Sequence, residues 1–236
     1  IDSRIDAECA EEFNNTSYLN LVQSIDTVKK ISLLGCQSYL VPASGIEFVE
    51  KNKHKLLRLG KIRDDIRKTE PVVRDSYAMS VDVGAIRQSD APGNMNASPN
   101  GLYAEEVCQI IRYFGISEQS SLFHLCEVNP QFDNNMQTSH LAAQLIWHAI
   151  DGFLARRNDF PASSIKELQK YVVSSVESSH DIVFYKSLKT ERWWIEIEKE
   201  KNLIPCNSDD YKTSCNNIIP DVYLDEISRT INRSLP

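Results

Sequence analysis

Two short apolar runs constrain this chain most, because each ends in an acid and leads into a loop and then a helix. "DSYAMSVDVGAI" (75–86) is apolar up to Asp82, and "SSLFHLCEVNP" (120–130) is apolar up to Glu127. Buried parallel strands read as near-continuous apolar segments, and α/β folds bind ligands outside the carboxyl ends of such strands. The loop after the first run, "RQSDAPGNMNASPNG" (87–101), is rich in Pro, Gly, Asn and Ser. Loops of that length inside a compact domain usually carry function. A helix is expected over 102–115, ended by Gly115 as a C′ residue, and another over 137–157 with Thr138 or Ser139 as N-cap. Strand, loop, helix, twice over, predicts a parallel α/β sheet.

Upstream, "ISLLGCQSYLV" (31–41) has the β-branched and aromatic content of a buried strand. Residues 46–68 place apolar side chains at helical spacing between charges, which predicts an amphipathic helix broken near Gly60. Beyond Pro161 the style changes. "HDIVFYKSLKTERWWIEI" (180–197) reads as a β-hairpin, and short helices close the chain. The expected division is therefore 1–160 for the α/β body and 161–236 for an extension packed on it. No internal repeat and no low-complexity tract interrupts the pattern.

The 236 residues suffice for a full core, and 42% hydrophobic with 25% charged residues is an ordinary globular balance. A net charge of −7 argues against a nucleic-acid binder, which would show a basic face. No apolar run reaches the roughly 20 residues of a membrane helix, and the charges at the very start predict no signal peptide. Cys9, Cys36, Cys108, Cys126, Cys206 and Cys215 lack metal-ligand spacing, so they are expected to be buried or free thiols, with the cytoplasm as default compartment.

A third acidic segment stands at the start, where "IDSRID" brings Asp2 and Asp6 to either side of Arg4. Taken singly, each acid caps a helix or faces solvent. Together, Asp2, Asp6, Asp82 and Glu127 are expected on one rim, where carboxylates raise each other's pKa unless a cation neutralises them. That cation is either a metal or Arg4. His124 reads as a satisfied core or supporting histidine, His148 as packing or surface, and His140 as a polar residue near the rim. His54 and His180 read as surface. Arg87, Gln88, Ser89 and Asp90 either shape the pocket mouth or bond within their own loop. Trp193 and Trp194 should point to opposite faces of a strand, with the tail covering the outer one.

These residues resemble the arginase–agmatinase–formimidoylglutamase family, the ureohydrolases. "DSRID" (2–6) resembles the family's Asp-Ala-His-x-Asp metal motif, and "SVDVGAIRQSDAPG" (80–93) its Ser-x-Asp-x-Asp motif. "NGLYAEEVCQIIRYFG" (100–115) and "EVNPQFDNNMQTSHLAAQLIW" (127–147) resemble the segments that follow. The likeness is nearest to bacterial formimidoylglutamase-like proteins. It implies a three-layer α/β fold, an oligomer, and a dimanganese centre whose bridging hydroxide hydrolyses a linear amidine or guanidino C–N bond. Asp2, Asp6 and Asp82 match metal-ligand positions, and Glu127 matches the acid that receives the substrate amidinium.

The departures are equally specific. Arg4 stands where the first motif has its histidine, and Gly84 where the second has its later aspartate. The Gly-Gly-x-His segment and the first strands would lie upstream of Ile1. The expectation is a formimidoylglutamase-like protein with a degraded centre holding one manganese ion or none, weakly or non-catalytic, and acting in binding or assembly with a protein partner. Arg4 among the acids would neutralise the place of the second metal; turned outward, it would leave them free. The alternative is a single-metal hydrolase converting N-formimidoyl-L-glutamate to L-glutamate and formamide, using Asp2, Asp6 and Asp82 as ligands.

Overall fold

The computed structural model describes residues 1–8, 14–161, 167–174, 181–197 and 202–233. It divides into a unit Ile1–Leu154 and a unit Ala155–Pro236.

In the first unit, β1 (Ser32–Leu34) pairs in parallel with β2 (Lys55–Leu57), and β3 (Ala78–Asp82) pairs in parallel with β4 (Leu122–Cys126). Residues 1–3 join the two pairs into one sheet. The Asp2 N–H donates to Leu34 O (2.9 Å) and the Gln37 N–H to Ser3 O (2.9 Å) on one side. On the other side the Ile1 nitrogen donates to Ser80 O (2.6 Å) and the Asp82 N–H to Ile1 O (3.0 Å). The spatial order is β2, β1, residues 1–3, β3, β4. The helices are α1 (Tyr18–Ser24), α2 (Ala43–Lys51), α3 (Leu59–Asp64), α4 (Thr69–Arg74), α5 (Ala104–Ile116) and α6 (Gln137–Leu154).

Side-chain alternation builds the layers. Leu33 packs with Ile5, Leu19, Phe48 and Val49, whereas Leu34 packs with Ile62, Val73, Val81 and Leu102. The β1–β2 end is thus covered on both faces, giving the expected three-layer α/β arrangement. At the other end, Met79 and Val81 are buried against Val107, Ile110, Ile111, Leu141 and Leu145 of α5 and α6. Ala78, Ser80, Leu122 and His124, pointing the other way, are exposed.

Several sequence expectations are corrected. The amphipathic stretch 46–68 is not one helix but α2, β2 and α3, followed by a 3-10 turn at Ile66–Lys68. Its "KLL" is too short for periodicity to separate strand from helix, and Gly60 lies within α3. Within 31–41 only Ser32–Leu34 is strand; Ser38–Leu40 is a 3-10 turn. Gly115 does not end α5, which runs to Ile116 and is capped at Ser117. A Cβ at Gly115 would lie 2.5 Å from Ala149 O, and one at Gly152 would lie 2.6 Å from Arg112 O. These glycines let the backbones of α5 and α6 touch. Neither Thr138 nor Ser139 is the N-cap of α6. Both lie within the helix, and the Asp133 carboxylate accepts their N–H groups at 2.8 and 2.9 Å.

The second unit is an antiparallel sheet of β5 (Leu168–Val173), β6 (Ile182–Ser187), β7 (Trp193–Ile197) and β8 (Asn202–Cys206) in sequential order. It carries α7 (Ser208–Cys215) and α8 (Asp221–Arg233). The predicted hairpin is β6–β7, with Phe184 opposite Ile195; His180 lies outside the described residues. Trp193 stacks on Tyr211 of α7, with centroids 4.9 Å apart and planes at 20°. The tail thus covers that tryptophan. Trp194 is 1% exposed.

Candidate functional site: an acidic rim

The parallel segments carry their acids to one edge. Asp2 sits between β1 and β3, with its Oδ1 accepting the Arg4 N–H at 2.9 Å, and the chain turns away there. Asp82 closes β3, and its Oδ1 accepts the Gly84 N–H at 2.6 Å to start the turn Val83–Ala85. Asp6 is half-buried, and its carbonyl accepts the Leu19 N–H of α1 (3.1 Å). Glu127 follows β4 immediately, in left-handed backbone (φ 64°) with its side chain exposed. That conformation is unfavourable for a residue with a Cβ. It is held by buried Asn94, whose Nδ2 donates to Glu127 O at 3.0 Å. The Asn129 N–H, donated to Gly93 O at 2.8 Å, ties the same two loops together.

Burial is the chief reason the carboxyls of Asp2, Asp6 and Asp82 hold protons more tightly than usual. Asp2, 8% exposed, is pushed up to about 6 by burial and by Asp6, against the pull of the Arg4 N–H. Asp82 is pushed up to about 6 by burial, then by Asp2 and Glu127, with the Gly84 N–H opposing. Asp6 is raised by burial and by Asp82, and lowered by the Arg4 charge. The structure therefore brings together the four acids expected on the rim. It adds Tyr18, whose hydroxyl is raised by burial and then by Asp2, Asp6, Cys126 and Asp82. A tyrosine at the start of a seven-residue helix carries no motif, so nothing in the sequence singled it out.

Arg4 is exposed, and among the described ion pairs none joins it to these acids. The outward placement is the one observed. Its charge reaches Asp6 without a direct bridge. Among the described residues no three His, Cys, Asp or Glu side chains are arranged to hold a metal ion. A guanidinium offers no lone pair, Gly84 offers no side chain, and the rim has carboxylates without an imidazole. Neither Arg4 nor Gly84 thus offers a side-chain donor to a metal ion.

The other candidates fall in place around the rim. His124 is not in the core but on the exposed face, with its Nδ1 2.9 Å from Ser80 Oγ. His54, expected at the surface, is buried beside Phe48, with centroids 5.0 Å apart. His140 is exposed, and the half-buried His148 sits edge-on to Trp147. The Arg87–Asp90 segment bonds within its own loop and to the starts of α5 and α6, where Gln137 Nε2 donates to Ser89 O (2.6 Å) and Asp90 O (3.1 Å). Arg87 Nε pairs with Asp90 Oδ1 (2.8 Å), its guanidinium lies over Tyr103 (4.1 Å), and Asp90 Oδ2 accepts the Ala104 N–H (3.0 Å). Cys36, Cys108, Cys126, Cys206 and Cys215 are free thiols, and Cys9 lies outside the described residues.

A model of the arginase family matches residues 14–151, more than half of the chain. The chain belongs to the arginase family. It is 33% identical over 90 residues to the formimidoylglutamase of Bacillus subtilis, covering 37% of this chain and 28% of that protein. It is 34% identical over 102 residues to the formimidoylglutamase of a Geobacillus species, covering 43% and 30%. The solved formimidoylglutamase of Bacillus subtilis superposes with a TM-score of 0.60 at 23% identity, over 66% of this chain and 52% of that one. The Trypanosoma cruzi formiminoglutamase solved with Mn2+ gives 0.60 at 18% identity, over 66% and 56%. These likenesses show the arginase-family α/β fold. The chain spans under a third of the curated relatives and about half of the solved ones.

Proposed function

We propose that this formimidoylglutamase-like member of the arginase family acts through binding or assembly, not through two-metal hydrolysis. One observation carries the reading: on the rim, the two positions that should complete a manganese pair hold Arg4 and Gly84, which have nothing to ligate with. The relative solved with Mn2+ makes manganese the metal to test. What remains is buried Asp2, half-buried Asp6 and Asp82 and exposed Glu127, with Tyr18 within electrostatic reach of the three aspartates. Such a set suits a small amidine or guanidino cation, which brings its own positive charge and hydrogen-bond donors.

The loss of metal follows from missing ligands and not from an arginine in the metal's place, since Arg4 faces outward. This distinction sets the experiment. The double variant Arg4→His, Gly84→Asp restores both donor types. The new Cβ at 84 would lie 3.0 Å from Asp82 Oδ1, a contact that a small movement of that carboxylate relieves. By calorimetry the folded double variant is expected to bind more manganese ions per chain than the wild type. Equal binding by the two proteins would overturn the reading.

A further inference from the structure

The carboxyl edge of the sheet carries opposite charges at its two ends. Acids stand where β3 and β4 finish, whereas Arg58 follows β2 and Arg63 lies in α3 just beyond it. Both arginine side chains are exposed, and neither takes part in an ion pair among the described residues. Carboxylates are not scarce, with 33 Asp and Glu against 26 Lys and Arg. Arg67, Arg74, Arg87, Arg112, Arg192 and Arg229 each hold one.

Neutral groups fix the two guanidiniums instead. Arg58 Nη1 donates to Ser38 Oγ at 2.5 Å. Arg63 Nη2 donates to Gly101 O at 2.5 Å, and its guanidinium lies 4.4 Å from the centre of the Tyr103 ring. Gln37 joins the two anchor points. It is 4% exposed, precedes Ser38, and donates through Nε2 to the carbonyl of Asn100 (3.1 Å), which precedes Gly101. The Tyr39 hydroxyl donates to Gln37 Oε1 (2.8 Å), and the Leu59 N–H to Cys36 O (3.1 Å). Residues 36–39, the start of α3 and the loop end 98–101 are thus tied together. Each guanidinium has five N–H donors and uses one of them here.

We infer that Arg58 and Arg63, with the Ser38 hydroxyl beside them, form a binding site for the phosphate group of a small molecule. Charge selects the ligand. Two guanidiniums call for about two negative charges, which a phosphate monoester carries near neutral pH on three acceptor oxygens. A carboxylate brings one charge and two coplanar oxygens. Arginine pairs bidentately with phosphate, and side chains already held in place lose less freedom on binding. The chain's net charge of −7 opposes a nucleic acid or an anionic membrane as the source of that phosphate. The acidic rim contributes no residue here, so the inference stands apart from the function proposed above.

The test is calorimetric titration of the 236-residue chain with inorganic phosphate at low salt, beside Arg58→Gln and Arg63→Gln, with circular dichroism to verify folding. The wild type should bind one phosphate per chain, and each variant should bind it at least tenfold more weakly. Arg67→Gln, which removes an exposed arginine elsewhere, should leave the affinity unchanged. Arg58→Lys and Arg63→Lys keep the charge and most of the stem, so they guard against misfolding. They too should weaken binding, because lysine lacks the fork. Succinate should bind at least tenfold more weakly than phosphate. Absence of saturable phosphate binding up to about 20 mM would overturn the inference, as would an affinity that none of the Arg58 and Arg63 variants changes. Succinate binding as tightly as phosphate would overturn the assignment of the ligand.

Discussion

Asp2 and Asp82 are acids held where acids are uncomfortable. Each titrates near 6 in the folded chain, against about 3.9 when unfolded. Folding therefore favours their protonated forms. Their stabilising contribution is complete below about pH 4 and is lost as pH rises through 6. In the presence of a chelator, thermal unfolding should show the wild type losing stability between about pH 4 and 6.5, with Asp2→Asn and Asp82→Asn losing less. Parallel pH profiles in all three proteins would remove burial from the account. Asn94 tests the geometry of the rim. It donates to Glu127 O and accepts the Asn96 N–H (2.7 Å), so Asn94→Ala strands two polar groups. The expected cost is about 1–3 kcal/mol in urea unfolding.

At the scale of elements, the α5–α6 contact rests on two glycines. Gly152→Ala puts a methyl 2.6 Å from Arg112 O and 2.9 Å from the Gly115 Cα. Alanine favours a helix by about 1 kcal/mol over glycine, yet here the overpacking cost of about 1–3 kcal/mol should prevail. A lower urea midpoint is expected; a higher one would mean that the helices separate freely. Asp90 accepts the Ala104 N–H at the start of α5, so Asp90→Ala should cost about 1 kcal/mol, the ordinary value of a lost cap.

Over the whole molecule, the parts legible in the sequence were the longer runs of apolar or alternating residues. The runs ending in Asp82 and Glu127 became β3 and β4, and "DIVFYKS…RWW" became β6 and β7. Elements that depend on distant pairing were not legible. β2 is three residues long and owes its strand to β1, and β5 joins the second unit's sheet through β6. Gly115 reads as a helix stop until α6 is in place, where its missing Cβ makes room for Ala149 O. At the rim, the acids and the two substitutions could be read directly. The outward turn of Arg4 and the approach of Tyr18 could not, because each depends on three-dimensional neighbours that motif spacing does not encode. The central claim is that this arginase-family rim holds acids without a manganese pair. Its most direct test is the manganese content of the purified chain after incubation with the metal and removal of excess, by elemental analysis. The account predicts no more than one ion per chain; about two would contradict it.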